Sequence, residues 1–270
     1  MTRRSFAAIA PLLLLLAGTG TGLAQASVAV GIYPSYPPLD MRAPATGDLK
    51  GFDIDFGNAV AQKLGVTIDW RETAYVQLVA SVQTGRIRFF FNGMNETPAR
   101  LQLISFVDYL RSGTQFMTLS SNAAAFPAMT ALCGKKVAAS RGTNLPQQIA
   151  DWSKANCEAS GRPAVIYLGA DNNIDARSQL KQGRTDAMAQ DSLTIPFIRS
   201  QEAGTYATVG APFDYVSMGV GVGRDDTALQ AKLSQAVQSL IDDGSYAKLL
   251  AKWGLPASSA VAKATISSAG

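Results

Sequence analysis

The sequence predicts an α/β fold with a largely parallel sheet. Apolar segments with strand-like composition alternate with segments whose apolar residues recur at helical spacing. Such alternation is typical of parallel sheets, because a crossover helix returns the chain to the starting edge. The 270 residues, 47% hydrophobic and 16% charged, suffice for one large domain or two modest lobes.

The elements of the first half follow from this pattern. Strands are predicted at 28–33, 66–70 and 87–93, and helices at 52–65 and 75–85. The first helix has apolar residues at 56, 60 and 64 and ends in Gly65, a favourable residue for a helix C-cap. The three phenylalanines at 89–91 are assigned to the core.

A second copy of this plan follows. The pattern predicts a strand and loop at 135–144, strands at 164–169, 185–191 and 218–224, and helices at 145–156, 173–183, 228–244 and 245–255. Two segments share one plan, namely VQTGRIRFFFNG (82–93) and LKQGRTDAMAQD (180–191). Each contains the end of a helix, then Gly-Arg, then a strand, and a polar residue where the predicted strand stops, Asn92 in the first and Asp191 in the second. Ligands gather at the carboxyl ends of such strands, so two lobes around a cleft are predicted. Ordinary α/β sequence similarity is the alternative explanation.

Composition excludes several functions. The chain has no histidine, which excludes Ser-His-Asp and Cys-His sites and histidine metal ligands. Its two cysteines are too few for a thiolate metal cluster. The net charge of +4 would fall to about +2 without Arg3 and Arg4, too little to predict binding to nucleic acid.

The N-terminus predicts export. Residues 1–26 combine a basic start, a short apolar run and Ala24-Gln25-Ala26, which is typical of a signal peptide cleaved after Ala26. TRRSF also fits the twin-arginine pattern, so the export route stays open between the two systems. In an oxidising compartment, Cys133 and Cys157 are expected to form a disulfide.

One arginine lies at an unusual place. Thr97 and Pro98 are typical of a helix N-cap and first helical position, which puts Arg100 third in the helix. The partial positive charge of a helix N-terminus disfavours a cation there. Arg100 therefore either binds an anion or lies on the surface at a small energetic cost.

Several segments together resemble the extracellular solute-binding proteins of family 3, the receptors of polar amino-acid ABC importers. The resemblance covers nearly all of the mature chain and rests on segments in a specific order, namely YPPL (36–39), GFDIDFGNAVAQKLG (51–65), GMNETPAR (93–100), KKVAASRGTN (135–144), GRTDAMAQD (183–191) and DDGSYAKLLAKWGL (242–255). It implies a two-lobed periplasmic-binding-protein type II fold with two hinge crossings, near 116–120 and 214–220. Lobe one would comprise 27–116 and 215–257, lobe two 117–214, and 258–270 a flexible tail.

The resemblance also implies a ligand site. Arg100 matches the arginine that grips the ligand α-carboxylate, which answers the question raised by its position, and Asp191 matches the carboxylate that binds the α-ammonium. Other matching positions are the donor loop at Thr143 and Asn144, the lobe-one lining at Asn92, Gly93 and Asn95, and the aromatic walls at Tyr36 and Tyr75. A solvated strand-end aspartate and ordinary core tyrosines are the alternatives.

Departures from the family pattern bear on the ligand. Members that bind basic amino acids carry an acid where this chain has Tyr33, so a polar or neutral amino acid is expected rather than a basic one. Arg88 stands where an aspartate is common, and Glu96 where a small or apolar residue is common. Glu96 either faces a cationic side chain or is solvated.

The expected function is binding rather than catalysis. A monomeric periplasmic protein without cofactor or metal would close its lobes around a free amino acid and deliver it to an ABC permease of the inner membrane. The alternative is an exported cyclohexadienyl dehydratase acting on prephenate or arogenate, for which Glu96 is the only loose candidate for an additional acid. A sensor module of a receptor or lytic transglycosylase is a third reading and requires a further domain.

Overall fold

The computed structural model describes residue 1 and residues 26–269, so residues 2–25 of the predicted signal peptide lie outside the described residues. The strands are β1 (Ser27–Ile32), β2 (Ser35–Tyr36), β3 (Asp40–Arg42), β4 (Leu49–Lys50), β5 (Thr67–Glu72), β6 (Phe89–Asn95), β7 (Ser105–Leu119), β8 (Lys136–Ser140), β9 (Ile166–Ala170), β10 (Ala187–Asp191), β11 (Tyr206–Val222) and β12 (Ile266–Ser267). The helices are α1 (Phe52–Leu64), α2 (Leu78–Gln83), α3 (Pro98–Leu101), α4 (Leu145–Asn156), α5 (Asn173–Lys181), α6 (Ile195–Gln201), α7 (Thr227–Asp242) and α8 (Ser245–Lys252).

The predicted α/β fold is confirmed, with parallel strands on both flanks of the main sheet. The strand order is β5-β1-β6-β11-β7-β10-β8-β9, and β2, β3 and β4 form a small separate sheet. β1 is parallel to β5 and β6, and β8 is parallel to β9 and β10. The central strands β7 and β11 are antiparallel to each other, which the sequence pattern did not predict.

These two central strands join the two lobes. β11 pairs with β6 at its end, and β7 pairs with β10 at its end, so each strand belongs to both halves of the sheet. We call the half around β1, β5 and β6 lobe one and the half around β8, β9 and β10 lobe two. The expected boundaries at 116 and 215 lie within β7 and β11, and the β7–β11 register shifts between Val209 and Val216.

Each lobe has its own aromatic core. In lobe one, Phe52 and Phe56 of α1 stack near Tyr109 of β7, and Phe91 meets Phe56 edge-on. Residues 89–91 are buried, as predicted. Lobe two packs the rings of Phe116, Trp152 and Phe213 together. The aromatic cores of the two lobes are therefore separate clusters on either side of the connecting strands.

The C-terminal tail differs from the expectation of a flexible segment. Ile266 and Ser267 pair with Val107 and Phe106 of β7, and Ala264 is buried against lobe one. The Ala/Ser-rich composition did not predict this pairing, because it is made by the backbone of β12 with the backbone of β7. Among the described residues, no helix combines the length and apolar composition that a bilayer crossing requires.

The structure contains the predicted disulfide between Cys133 and Cys157, which closes a loop spanning 24 positions in lobe two. Replacing both cysteines with alanine should lower the free energy of unfolding by about 3 kcal/mol, because the unfolded chain gains loop entropy. Urea denaturation of the exported protein with and without a reductant measures this. Equal midpoints for oxidised and reduced protein would contradict the prediction.

Candidate functional site

A cavity of about 270 Å³ lies between the lobes. It is lined by residues of both lobes, namely Tyr33, Ser35, Tyr36, Ala74, Tyr75, Val76, Asn92, Gly93, Asn95, Ser140, Arg141, Gly142, Thr143, Asp171, Asn172, Asn173 and Asp191. Eight of the ten predicted site residues are in this set, and Arg100 and Asn144 are not. Strand ends supply most of the polar lining, as the two-lobe pattern predicted.

Arg100 lies behind the cavity wall and is held by residues that line it. The predicted N-cap of α3 is present, since the Thr97 side chain accepts a hydrogen bond from the Arg100 backbone N–H. The guanidinium donates to the Asn95 carbonyl at 2.6 Å, the Tyr75 hydroxyl at 3.2 Å and the Gly142 carbonyl at 3.4 Å. It also packs over the Tyr75 ring, 5.6 Å from the centroid. Arg100 therefore bridges the two lobes at the cavity edge.

Asp191 ends β10 and is the buried anion of the cavity, with only 7% of its surface exposed. Burial raises the pKa of its carboxyl, and the Tyr36 hydroxyl, the Asn95 amide and the Arg100 charge act in the opposite direction. The Asn95 amide nitrogen lies 3.4 Å from Asp191 Oδ1. No described lysine or arginine forms an ion pair with this carboxylate, so its negative charge is incompletely compensated.

Direct contacts connect the lobes across the cleft. Asn95 of lobe one donates to the Asn144 side-chain oxygen at 2.6 Å, and Asn144 in turn donates to Gln148 at 2.9 Å. The Arg100 bond to the Gly142 carbonyl is a second cross-lobe contact. The structure therefore has its lobes closed on each other.

The remaining predicted residues differ in whether their polar groups already form hydrogen bonds within the protein. Tyr36 and Tyr75, at which the resemblance implied aromatic walls, both line the cavity, and so does Tyr33. The Thr143 hydroxyl is already engaged, because it donates to the Ser140 carbonyl and accepts from the Leu145 backbone N–H.

Gly93 permits a close approach at the cavity floor. Its φ of +50° lies in the region that favours glycine, and an added Cβ would meet Leu39 at 2.4 Å and Tyr36 at 2.9 Å. Its backbone N–H donates to the Tyr109 hydroxyl at 2.8 Å, and this bond connects the backbone of β6 to the core of lobe one.

Replacing Gly93 with alanine is expected to displace the Tyr36 ring and to strain the backbone, at a cost to stability of about 1–3 kcal/mol. Thermal unfolding of the variant measures this cost. Gly47→Ala is a matched control for the backbone strain, since Gly47 has φ +76° but no atom within 4 Å of an added Cβ. Equal losses for the two variants would show that the contact with Tyr36 is unimportant.

Sequence reasoning missed the segment at the end of β9. Asp171, Asn172 and Asn173 line the cavity, and Arg141 from the β8–α4 loop forms an exposed ion pair with Asp171. Asn172 caps α5, whereas Asn173 Oδ1 is buried without a hydrogen-bond partner. The rule that ligands gather at strand ends applies equally to β9 and would have found these residues.

Two unusual residues lie outside the cavity lining. Arg88 forms an exposed ion pair with Asp226. Glu96 is half-buried beside Asp108 and Ser267, and its pKa is raised to about 8, chiefly by burial and then by Asp108. Glu96 thus faces another acid rather than a cationic ligand or open solvent.

Comparisons with known proteins agree with this architecture. The family model described as bacterial extracellular solute-binding proteins, family 3, matches residues 28–256. The L-arginine-binding protein of Pseudomonas aeruginosa is 26% identical over 258 residues, which are 93% of this chain and 96% of that protein. An ancestral arginine-binding protein bound to arginine superposes with a TM-score of 0.74 at 26% identity, covering 85% of this chain and 99% of that chain.

A second solved structure has the same similarity. An ancestral amino acid-binding protein, described as a precursor of cyclohexadienyl dehydratase, superposes with a TM-score of 0.74 at 26% identity, covering 84% of this chain and 95% of that chain. These similarities confirm the two-lobed type II fold. The chain belongs to the bacterial extracellular solute-binding proteins of family 3.

Proposed function

We propose that the protein is the periplasmic receptor of an amino-acid ABC importer and closes its lobes around one free amino acid. The observation that carries this proposal is a cavity between the lobes that has the Asp191 carboxylate of lobe two in its lining and the Arg100 guanidinium of lobe one held behind its wall by Tyr75 and Gly142. A free α-amino acid carries a carboxylate and an ammonium on one carbon. An opposed cation and buried anion complement these two charges.

The hydrogen bonds of Arg100 suggest how the ligand enters. Its two longer bonds, to the Tyr75 hydroxyl and the Gly142 carbonyl, use one guanidinium nitrogen and are the easiest to exchange. An α-carboxylate replaces these neutral acceptors with a charged one, which forms stronger hydrogen bonds. The 2.6 Å bond to the Asn95 carbonyl keeps the guanidinium in place during the exchange.

Asp191 completes the site from lobe two. The ligand ammonium supplies the positive charge that this buried carboxylate lacks, so binding favours the closed arrangement of the lobes. Asn144 is proposed to support this closure through Asn95 rather than to touch the ligand.

The relatives and the cavity lining bear on which amino-acid side chain the site accepts. The expectation of a polar or neutral amino acid, based on Tyr33, is not supported, because two of the three relatives described above are arginine-binding proteins. The cavity lining includes Asp171, which has a carboxylate, and Asn173, whose side-chain oxygen has no hydrogen-bond partner. Both groups are hydrogen-bond acceptors. We therefore place basic amino acids first in the test, with glutamine and histidine as neutral or weakly basic comparisons.

A thermal-shift screen of the mature protein against the proteinogenic amino acids tests the proposal. Ligand at about 100 times its dissociation constant should stabilise the protein by about 2.7 kcal/mol. The protein should first be unfolded, dialysed and refolded, so that carried-over ligand cannot mask a shift. If no amino acid raises the melting temperature of the refolded protein, the proposal is wrong.

The same preparation tests the dehydratase alternative. That reaction requires an acid to expel hydroxide, and Glu96 lies outside the cavity lining. Among the described lining residues the carboxylic acids are Asp171 and Asp191. Incubation with prephenate and arogenate, followed by product analysis, should show no turnover; turnover would replace the receptor proposal with the enzyme.

A further inference from the structure

Beneath the cavity, two carboxylic acids meet inside lobe one. Asp40 of β3 and Asp53 of α1 both have 0% of their surface exposed. One oxygen of each is satisfied, since Asn92 donates to Asp40 Oδ2 at 2.5 Å and Tyr109 donates to Asp53 Oδ1 at 2.9 Å. The other oxygens, Asp40 Oδ1 and Asp53 Oδ2, are buried without a conventional partner.

Charge balance at this pair requires a proton. No described lysine or arginine forms a hydrogen bond or ion pair with either acid. The groups that face the pair are the Tyr36 backbone from β2, Asn92 and the Gly93 N–H from β6, and the Tyr109 hydroxyl from β7. None of them carries a positive charge, and two neighbouring anions would be strongly destabilised there.

We propose that Asp40 stays protonated at neutral pH, donates a hydrogen bond to the Asp53 carboxylate, and thereby positions Asn92 for ligand binding. Asp53 lies in the first turn of α1, where the helix N-terminus favours the anion, so the proton belongs on Asp40. Burial and the neighbouring Asp53 raise the pKa of Asp40 well above its ordinary range, and burial raises the pKa of Asp53 to about 7, in keeping with this arrangement.

The pair reaches the cavity through Asn92. The Asn92 amide nitrogen donates to Asp40 and to the Tyr33 carbonyl, which orients the amide and leaves Asn92 Oδ1 unpartnered. Loss of the Asp40 proton would place two negative charges side by side, and their repulsion would displace Asp40 together with the Asn92 amide that it orients. Asp40 and Asp53 are therefore positioning residues, and this link to affinity rests on the proposed amino-acid site.

The protonation itself can be tested without a ligand. Carboxyl carbon NMR of protein labelled with ¹³C-aspartate should show a protonated aspartate at neutral pH that is absent from Asp40→Asn. If both proteins show only ionised aspartates at neutral pH, the proposal is wrong. Labelling aspartate alone keeps Glu96 out of the spectrum.

The link to binding is tested by titration calorimetry with the best ligand of the screen. Wild-type affinity should fall roughly threefold or more between about pH 7 and about pH 9, since one linked proton changes affinity at most tenfold per pH unit. Asp40→Asn keeps an N–H donor toward Asp53 and should show a clearly smaller fall. The ligand ammonium and Asp191 are common to both proteins, so the difference between the two profiles reports the pair of Asp40 and Asp53.

Two further variants separate positioning from general damage. Asp40→Leu removes the acceptor for Asn92 and should weaken binding throughout this pH range. Asp108→Asn alters the acid pair of Asp108 and Glu96, outside the cavity lining, and should keep the wild-type profile. Identical profiles for wild type and Asp40→Asn would overturn the link to binding. If no ligand binds even the wild type, the receptor proposal fails, and the protonated aspartate is still decided by NMR.

Discussion

Replacing Arg100 with lysine is expected to weaken amino-acid binding by about 3 kcal/mol, or more than about a hundredfold. Lysine retains the charge but lacks the planar fork that can bind a carboxylate with two parallel hydrogen bonds. It also cannot bond the Asn95 carbonyl and a ligand with the same geometry. Titration calorimetry with the ligand identified by the screen measures the loss.

Arg88→Lys is the matched control for Arg100→Lys. Arg88 is an exposed arginine of the same lobe whose partner is Asp226, outside the cavity. Its replacement should leave the affinity unchanged. A similar affinity for Arg100→Lys and wild type would mean that Arg100 only ties Tyr75 to Gly142 across the cleft.

Replacing Asp191 with asparagine is expected to change binding and stability in opposite directions. Binding should weaken by about 3 kcal/mol, because the ligand ammonium loses its charged partner. The ligand-free protein should gain stability at neutral pH, because an uncompensated buried charge is replaced by a neutral amide of similar shape. Calorimetry and urea unfolding measure the two effects.

The pH dependence of unfolding gives a second readout for Asp191. A carboxyl whose pKa is raised on folding leaves the folded state fully stable below its unfolded pKa of about 3.9. That stability is lost as the pH rises toward and through the raised folded value. Asp191→Asn lacks this titrating group, so the free energy of unfolding of the variant should fall less than that of the wild type as the pH rises.

Asp171→Asn is the matched control for Asp191→Asn. Asp171 also lines the cavity, but it is exposed and paired with Arg141, so its replacement should leave ligand-free stability nearly unchanged. If Asp191→Asn destabilises the ligand-free protein, the carboxylate has a structural role that the hydrogen bonds described above do not explain.

The sequence predicted the elements with strong periodicity. α1, α4 and α7 lie close to their predicted positions, because apolar spacing and end signals agreed. The predicted helix at 75–85 is instead a 3-10 turn at Tyr75–Gln77 followed by α2. The two-residue strands β2, β4 and β12 were missed, since they depend on backbone pairing rather than on a local pattern.

The site was predictable only where strand ends and family motifs coincided. Asp191 ends β10 and Asn92 lies three residues before the end of β6, so their position at the cavity followed from topology. The engagement of Thr143 and the acid pair of Asp40 and Asp53 depends on contacts between segments far apart in sequence. Local spacing carries no information about such contacts.

The cross-lobe bond from Asn95 to Asn144 has a kinetic consequence. An amino acid can enter only while the lobes are open, and a bond that holds the closed lobes together lowers the fraction of open molecules and with it the association rate. Asn144→Ala should therefore speed association by enlarging that fraction, even though Asn144 does not line the cavity. Scavenging speed in such a receptor would therefore depend on Asn144, a residue outside the cavity lining.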